Sequence, residues 1–271
     1  VIARRRVAHL SDLHFGAVAD GAPARLAADL AELAPDLVVV SGDLTQRARA
    51  HQFAACRAFF DMLAAPVLAV PGNHDVPRAN LLARLFDPFG RWRRHLGRPL
   101  EPTWQDEALL VVGINSARGW ALHLDWSAGR LSAAQRARIA AFGARRGGRT
   151  LLLVLHHPPE HPPDFAWRRG LAAPGLAREA FAAAGAAAVL VGHLHRPDRL
   201  DLPVPELHAG TALSWRDGGN GNSYNVLDID GGALAVRVRR LGPAGWGWAG
   251  ATRPPPAAAE AALSARPAGP G

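Results

Sequence analysis

The chain has 271 residues, 49% of them hydrophobic and 20% charged, which is long enough to bury a core and ordinary for a globular protein. Its formal charge of +8 comes from arginine alone, because lysine is absent; beside abundant Ala, Gly and Pro this reads as compositional bias rather than a nucleic-acid footprint. No run approaches the roughly 18 apolar residues of a spanning helix, and the single cysteine, Cys56, excludes an internal disulfide.

Short apolar runs alternate with helical patterns along the chain. Val7–Leu10 reads as a strand, and Leu26, Leu30 and Leu33 then recur at helical spacing. Leu37–Val40 is a second strand, followed by the helical stripe Phe53, Cys56, Phe60 and Leu63, in which the cysteine serves as core filler. Val67–Val70 is a third strand. The Arg-rich segment from 78 to 98, part of an expected cap over 78–105, carries Arg78, Arg84, Arg91, Arg93, Arg94 and Arg98 among Leu81, Leu82, Leu85, Phe86, Phe89 and Trp92. Its simpler reading is an amphipathic helix with a solvated arginine face; the other is a cap that grips an acidic substrate or rests on an anionic lipid surface. Leu109–Ile114 reads as a strand and Leu131–Phe142 as a helix. Leu151–Leu155 and Ala188–Val191 are strands on either side of an Ala-rich helix, and Tyr224–Asp230, Gly231-Gly232 and Ala233–Leu241 form a hairpin pattern. This order predicts an α/β domain over 1–250 with a Pro/Ala-rich tail over 251–271. No signal-peptide pattern is present, which decides little in a sequence that starts at Val1 rather than Met; the expected compartment is the cytoplasm or the periphery of the inner membrane.

The residues just past the strand ends matter most. Val7–Leu10 runs into Asp12 and His14, Leu37–Val40 into Asp43, Val67–Val70 into Asn73-His74-Asp75, Leu151–Leu155 into His156-His157, and Ala188–Val191 into His193 and His195. In open α/β sheets the carboxyl ends of the strands are where ligands bind. One such residue means little, but five strands delivering Asp, Asn or His converge on metal chemistry. Carboxylate, imidazole and amide oxygen suit Mn, Fe or Zn, and the lack of thiolate argues against a structural zinc. Asp12 and His14, like His193 and His195, are two apart and project to one side of an extended segment. Gly16, Gly42, Gly72 and Gly192 let the backbone turn beside the ligands.

The motifs Asp-X-His, Gly-Asp, Gly-Asn-His-Asp, a strand-end His and Gly-His-X-His occur here in one order, and from about Val7 to Thr211 the chain resembles the calcineurin-like metallophosphoesterases. The resemblance implies a four-layer α-β-β-α sandwich of two mixed sheets flanked by helices. It implies two metal ions, Mn first and Fe or Zn otherwise: Asp12, His14 and His195 hold one, Asn73, His156 and His193 the other, and Asp43 bridges them. A hydroxide between the metals would attack phosphorus in line, His74 would protonate the leaving oxygen, and Asp75 would orient His74.

The wording of Ser-Asp-Leu-His-Phe-Gly and Pro-Gly-Asn-His-Asp-Val-Pro is similar to the bacterial cyclic-nucleotide phosphodiesterase branch, which implies a small phosphodiester substrate, either a cyclic nucleotide or a glycerophosphodiester. A lipid-linked substrate such as UDP-diacylglucosamine is the alternative, against which stands an Arg, typical of that branch, where this chain has His74. A Mn-dependent nuclease and an inactive metal-binding scaffold complete the alternatives; nucleic acid is disfavoured because no coiled-coil heptads are present. His157, Arg78 and Asn115 are the weaker candidates for touching substrate, with Trp120 and Trp126 beside Asn115 as pocket walls or loop packing. His208 is a lesser candidate to face the pocket. Oligomeric state is not legible.

Overall fold

The computed structural model describes residues 4–78, 80–119 and 127–250. The expected tail over 251–271, together with Trp120 and Trp126, lies outside them. The elements in chain order are β1 (Arg5–Leu10), α1 (Ala22–Leu33), β2 (Leu37–Val40), α2 (Ala50–Asp61), β3 (Val67–Ala69), α3 (Leu81–Phe86), α4 (Gly90–Leu96), β4 (Thr103–Gln105), β5 (Leu109–Gly113), β6 (Gly129–Arg130) and α5 (Ala133–Ala144). There follow β7 (Thr150–Val154), β8 (Leu171–Ala172), α6 (Pro174–Ala183), β9 (Ala188–Val191), β10 (Asp198–Leu200), β11 (Glu206–His208), β12 (Ser223–Asp230), β13 (Ala233–Gly242) and β14 (Gly245–Trp248).

Two six-stranded mixed sheets carry the fold, one in the order β14-β13-β12-β1-β2-β3 and the other β10-β11-β9-β7-β5-β4. The reason for the continuous apolar runs is visible in their alternation. Leu37 and Val39 of β2 join Val7, Leu109, Val111, Leu152 and Leu190 between the sheets, whereas Val38 and Val40 join Leu26, Leu30, Phe53 and Phe59 beneath α1 and α2. On the far side, Leu151 and Leu153 meet Ile139 of α5 and Phe181 of α6. A strand buried on both faces has no polar side to present, so its sequence cannot alternate. The layers are therefore helix, sheet, sheet, helix, as the resemblance implied.

The Arg-rich segment departs from expectation. It forms two short helices, and α3 is turned inside out: Leu82 and Phe86 are 70% and 83% exposed, while Arg84 is 5% exposed. The Arg84 guanidinium donates to the carbonyls of Pro77 (3.1 Å) and Arg118 (3.3 Å). Helical spacing does not say which stripe faces inward when the arginine is the residue that donates to main-chain carbonyls.

Beside the sheets lies a buried carboxyl that no pattern in the chain leads one to expect. Glu206 on β11 accepts the N–H of Glu160 (3.1 Å), and its pKa is pushed by burial up to about 7. A raised carboxyl pKa means that folding favours the neutral form, so the contribution is most favourable below pH about 4.5 and is lost as pH rises through 7. Glu206→Gln, which removes the ionisation and keeps an acceptor, is expected to gain on the parent by about 2 kcal/mol between pH 5 and pH 8. Urea unfolding of both proteins at the two pH values checks this, and a difference that does not change with pH contradicts it.

Candidate metal centre

The carboxyl ends of β1, β2, β3, β7 and β9, drawn from both sheets, bring the expected residues together. The backbone does this in a way that extended geometry does not anticipate. Asp12, His14, Asp43, His193 and His195 all have positive φ, between 48° and 75°. They make up five of the eight non-glycine residues in that region among the described residues, so left-handed backbone is concentrated at the site. Such positions cost free energy and persist only where surrounding structure holds them. Their side chains thus converge through tight turns after each strand rather than by two-residue alternation.

Two glycines are required by crowding. A Cβ on Gly42, itself at φ +97°, would lie 2.6 Å from the His156 ring, and one on Gly72 would lie 2.1 Å from Asp43 Oδ1. At Gly72 the need is close approach, because its φ of −106° is open to any residue.

The first set is Asp12, His14 and His195. His14 Nε2 and His195 Nε2 face one another at 3.1 Å, and they stand 3.6 and 3.1 Å from Asp12 Oδ1. The His195 Nδ1 is directed at the Arg216 carbonyl, so that nitrogen carries the proton and Nε2 offers a lone pair. Asp12 Oδ1 is buried without a hydrogen bond of good geometry, while Oδ2 accepts the His193 N–H at 3.0 Å. Burial pushes the Asp12 carboxyl up, but His195, His14 and His156 outweigh it and hold it well below the usual range.

The second set is Asp43, Asn73 and His156. His156 Nδ1 is directed at the Ser41 carbonyl (2.8 Å), leaving Nε2 to face Asp43 Oδ2 at 3.3 Å and Asn73 Oδ1 at 3.2 Å. Burial opposes a charge on His156, yet the Asp43 carboxylate carries its pKa to about 9. His193 stands against this group, its ring 5.2 Å from that of His156 and its Nε2 at the Arg169 carbonyl (3.0 Å); burial and then His156 lower it to about 3. Asp43 Oδ2 also lies 3.8 Å from His14 Nε2, so one carboxylate oxygen looks toward both sets.

These residues fit cations. Candidate ligand atoms of Asp12, His14 and His195 lie within 4.8 Å of one another, as do those of Asp12, Asp43 and His156. Buried carboxylates and imidazoles so close need positive charge among them, which protons on His156 and His195 or bound cations can supply. Carboxylate, imidazole and amide oxygen are the donors for Mn, Fe or Zn.

His74 rises from a short 3-10 turn over Asn73–Asp75. Its N–H donates to Asp43 Oδ1 (2.8 Å), and its Nδ1 meets the Gln46 carbonyl at 2.8 Å, which leaves Nε2 to face Arg216 Nη1 at 3.4 Å. Asp75 does not perform the orienting role expected of it. Its oxygens accept the N–H groups of Gly72, Leu44 and Thr45 and the Thr45 hydroxyl at 2.8–3.0 Å, pinning the loop after β2 to the loop after β3. The acceptor at the His74 ring is Gln46 O instead.

Of the weaker candidates only His157 joins the site, its ring 4.8 Å from that of His156 and 5.2 Å from that of His193, with candidate ligand atoms of the three within 4.8 Å of one another; the others are spread out. His157 is wholly buried, with Nδ1 2.8 Å from Ser116 Oγ and its ring against Gly129. Asn115 accepts the Ala117 N–H and lines a cleft with Arg93, Arg98, Glu101 and Arg138, none of them a metal-ligand candidate. Arg78 is exposed. His208 is buried on β11, with Nε2 4.0 Å from Glu206, and faces no open pocket. Sequence reasoning missed Gln46 and Arg216, since neither belongs to a motif and 170 positions separate them.

Comparison with known proteins agrees with this geometry. The family model described as calcineurin-like phosphoesterase matches residues 5–197. A "Probable cyclic nucleotide phosphodiesterase" of Synechococcus sp. is 26% identical over 169 residues, 56% of this chain and 58% of that protein. A "Probable glycerophosphodiester phosphodiesterase" of Arcobacter nitrofigilis is 27% identical over 127 residues, 46% of this chain and 42% of that protein. The chain thus spans about half the length of these curated relatives. Among solved structures, a purple acid phosphatase from yellow lupin superposes with TM-score 0.64 at 13% identity, covering 89% of this chain and 52% of that one. A dimetal phosphatase from Danio rerio gives 0.58 at 12%, covering 88% and 93%. At such identities the structural likeness speaks for the fold.

Proposed function

We propose, for a chain that belongs to the calcineurin-like phosphoesterase family, the metal-dependent hydrolysis of a small phosphodiester, a cyclic nucleotide or a glycerophosphodiester. The observation that carries this reading is the pair of facing ligand sets with Asp43 Oδ2 looking toward both. Asp12, His14 and His195 would hold one cation and Asn73, His156 and His193 the other, with Asp43 shared and Mn the first expectation. Two such cations supply Lewis acidity toward phosphate oxygens and activation of water. The protein's own part is positional. Asp12 and Asp43 are kept anionic by the imidazoles around them. His195 and His156 are fixed in one tautomer by main-chain carbonyls. His74, its Nδ1–H held by Gln46 O, would act as general acid in its imidazolium form, giving the Nε2 proton to the leaving oxygen and remaining as the neutral Nδ1–H imidazole.

Because metals read phosphate rather than the alcohol, the substrate has to be found by assay. Mn-loaded protein is to be given cyclic nucleotides, glycerophosphodiesters, phosphomonoesters and nucleotide-linked lipids at one pH. Turnover highest on one of the first two is the expected result; turnover confined to monoesters or lipids removes the small-diester reading.

One observation favours a second reading, a phosphate ester on a membrane amphiphile. Leu81, Leu82, Leu85 and Phe86 all stand exposed on α3, near the exposed Arg78 and Arg94, which is the composition of a surface that meets anionic lipid. None of the described helices is long and apolar enough to cross a membrane. Flotation with phosphatidylglycerol vesicles decides: the second reading requires binding that Leu82→Ser/Phe86→Ser abolishes, and its absence removes that reading.

A further inference from the structure

Arg216 lies in the loop between β11 and β12, outside every motif, and the fold sets it against His195 and His74 of the candidate metal centre. Its main chain is tied down twice. The carbonyl takes the Nδ1 proton of His195, and the N–H donates to Ser214 Oγ at 2.9 Å. The side chain then reaches across to the loops after β2 and β3, where Nη1 is 3.2 Å from Gln46 Oε1 and 3.4 Å from His74 Nε2. A guanidinium has five donors, and Arg216 spends them on one neutral amide and one long contact to an imidazole. The partly buried Arg239, Arg138 and Arg196 each meet a carboxylate, and among the described residues Arg216 does not.

From this geometry we infer that Arg216 is a substrate-binding residue that holds, beside His74, a phosphate oxygen left free by the proposed cations. The inference rests on the proposed role of His74, since Arg216 Nη1 stands 3.4 Å from His74 Nε2 and a group held by one lies beside the other. A guanidinium there donates charge-assisted hydrogen bonds to an oxyanion beyond those that the cations engage. The ligand class it selects is phosphate carrying a second negative charge: orthophosphate as product, a phosphomonoester, or an ester whose leaving group bears its own phosphate. A simple diester monoanion uses the contact less.

The bond to His195 comes from the Arg216 main chain, so side-chain substitution leaves that ligand's support in place. The test uses the full metal-loaded chain and reads orthophosphate binding by calorimetry, metal content, and hydrolysis of p-nitrophenyl phosphate and bis-p-nitrophenyl phosphate at pH 8. Arg216→Gln is expected to keep two cations per chain and to weaken orthophosphate binding by about 10- to 100-fold, the usual worth of a charged hydrogen bond. Its kcat/KM for the monoester should fall by a similar factor and for the diester by only a few-fold, with Arg216→Lys recovering part of both losses. Unchanged orthophosphate binding in a metal-replete Arg216→Gln overturns the inference, and hydrolysis by the parent would stand regardless. A parent that hydrolyses neither ester but loses phosphate binding on Arg216→Gln supports the anion site and removes the hydrolase reading instead. Should Arg216→Gln fail to load metal, orthophosphate affinity in Arg216→Lys decides by the same criterion.

Discussion

Asp43→Ala is expected to leave the protein with one cation or none and to lower turnover by at least about 10³-fold, since metal-borne charge on a phosphoryl group is worth several kcal/mol. The expectation follows from one atom. Asp43 Oδ2 is 3.3 Å from His156 Nε2 and 3.8 Å from His14 Nε2, members of the two ligand sets. Removing it takes a negative charge from both sets at once and leaves the remaining imidazoles to repel one another. The substitution also frees the His74 N–H, which donates to Asp43 Oδ1. Asp43→Asn separates the two effects, because an amide oxygen still accepts that N–H while the charge is gone. Elemental analysis of both variants beside the parent checks the point. Two ions per chain retained in Asp43→Ala would contradict the shared role.

His74→Ala is expected to do the reverse: keep both cations and lose turnover by about two to four orders of magnitude, the range for a missing acid–base group. The His74 side chain ligates neither set in the proposed arrangement, and its N–H to Asp43 survives the substitution. The loss should depend on the leaving group. An alkyl alcohol needs its proton as the bond breaks, whereas p-nitrophenolate leaves readily without one, so the defect should shrink on nitrophenyl esters. Equal defects on both substrates, or parent-like activity on the alkyl ester, would remove His74 from proton delivery. The Gln46 carbonyl holds the His74 ring, whereas its side-chain oxygen accepts from Arg216.

The proposed ligand set could be read from the sequence because it sits where strands end. A buried strand has to be apolar on both faces, so the first polar residues after Leu10, Val40 and Val191 stand out in the sequence, and turn geometry carries them to one edge. The conformation that brings them together was not legible. Asp12, His14, His193 and His195 are left-handed, and nothing in a two-residue spacing distinguishes that from extended chain. Weak strands were lost for another reason: β10, β11 and β14 are three or four residues long, and their pairing is set by neighbours far along the chain. β11 takes its place beside β9 because Glu206, Leu207 and His208 pair with Val189, Leu190 and Val191.

Asp75 and α3 show a further limit. An acidic residue next to a catalytic candidate invites an orienting role, but short range in sequence fixes only the backbone neighbour; the Asp75 carboxylate points back at Leu44 and Thr45. In α3 the inward arginine donates to two main-chain carbonyls, a contact that no hydrophobic pattern records. Arg216 belongs with these, since only the folded chain brings it to Gln46 and His74.

Anomalous diffraction from crystals of the Mn-loaded protein tests the account most directly. Two peaks are predicted, roughly 3.5–4 Å apart as in other two-metal hydrolases, one contacting Asp12, His14 and His195, the other Asn73, His156 and His193, with Asp43 touching both. A single peak, or metal bound away from these seven side chains, would contradict it.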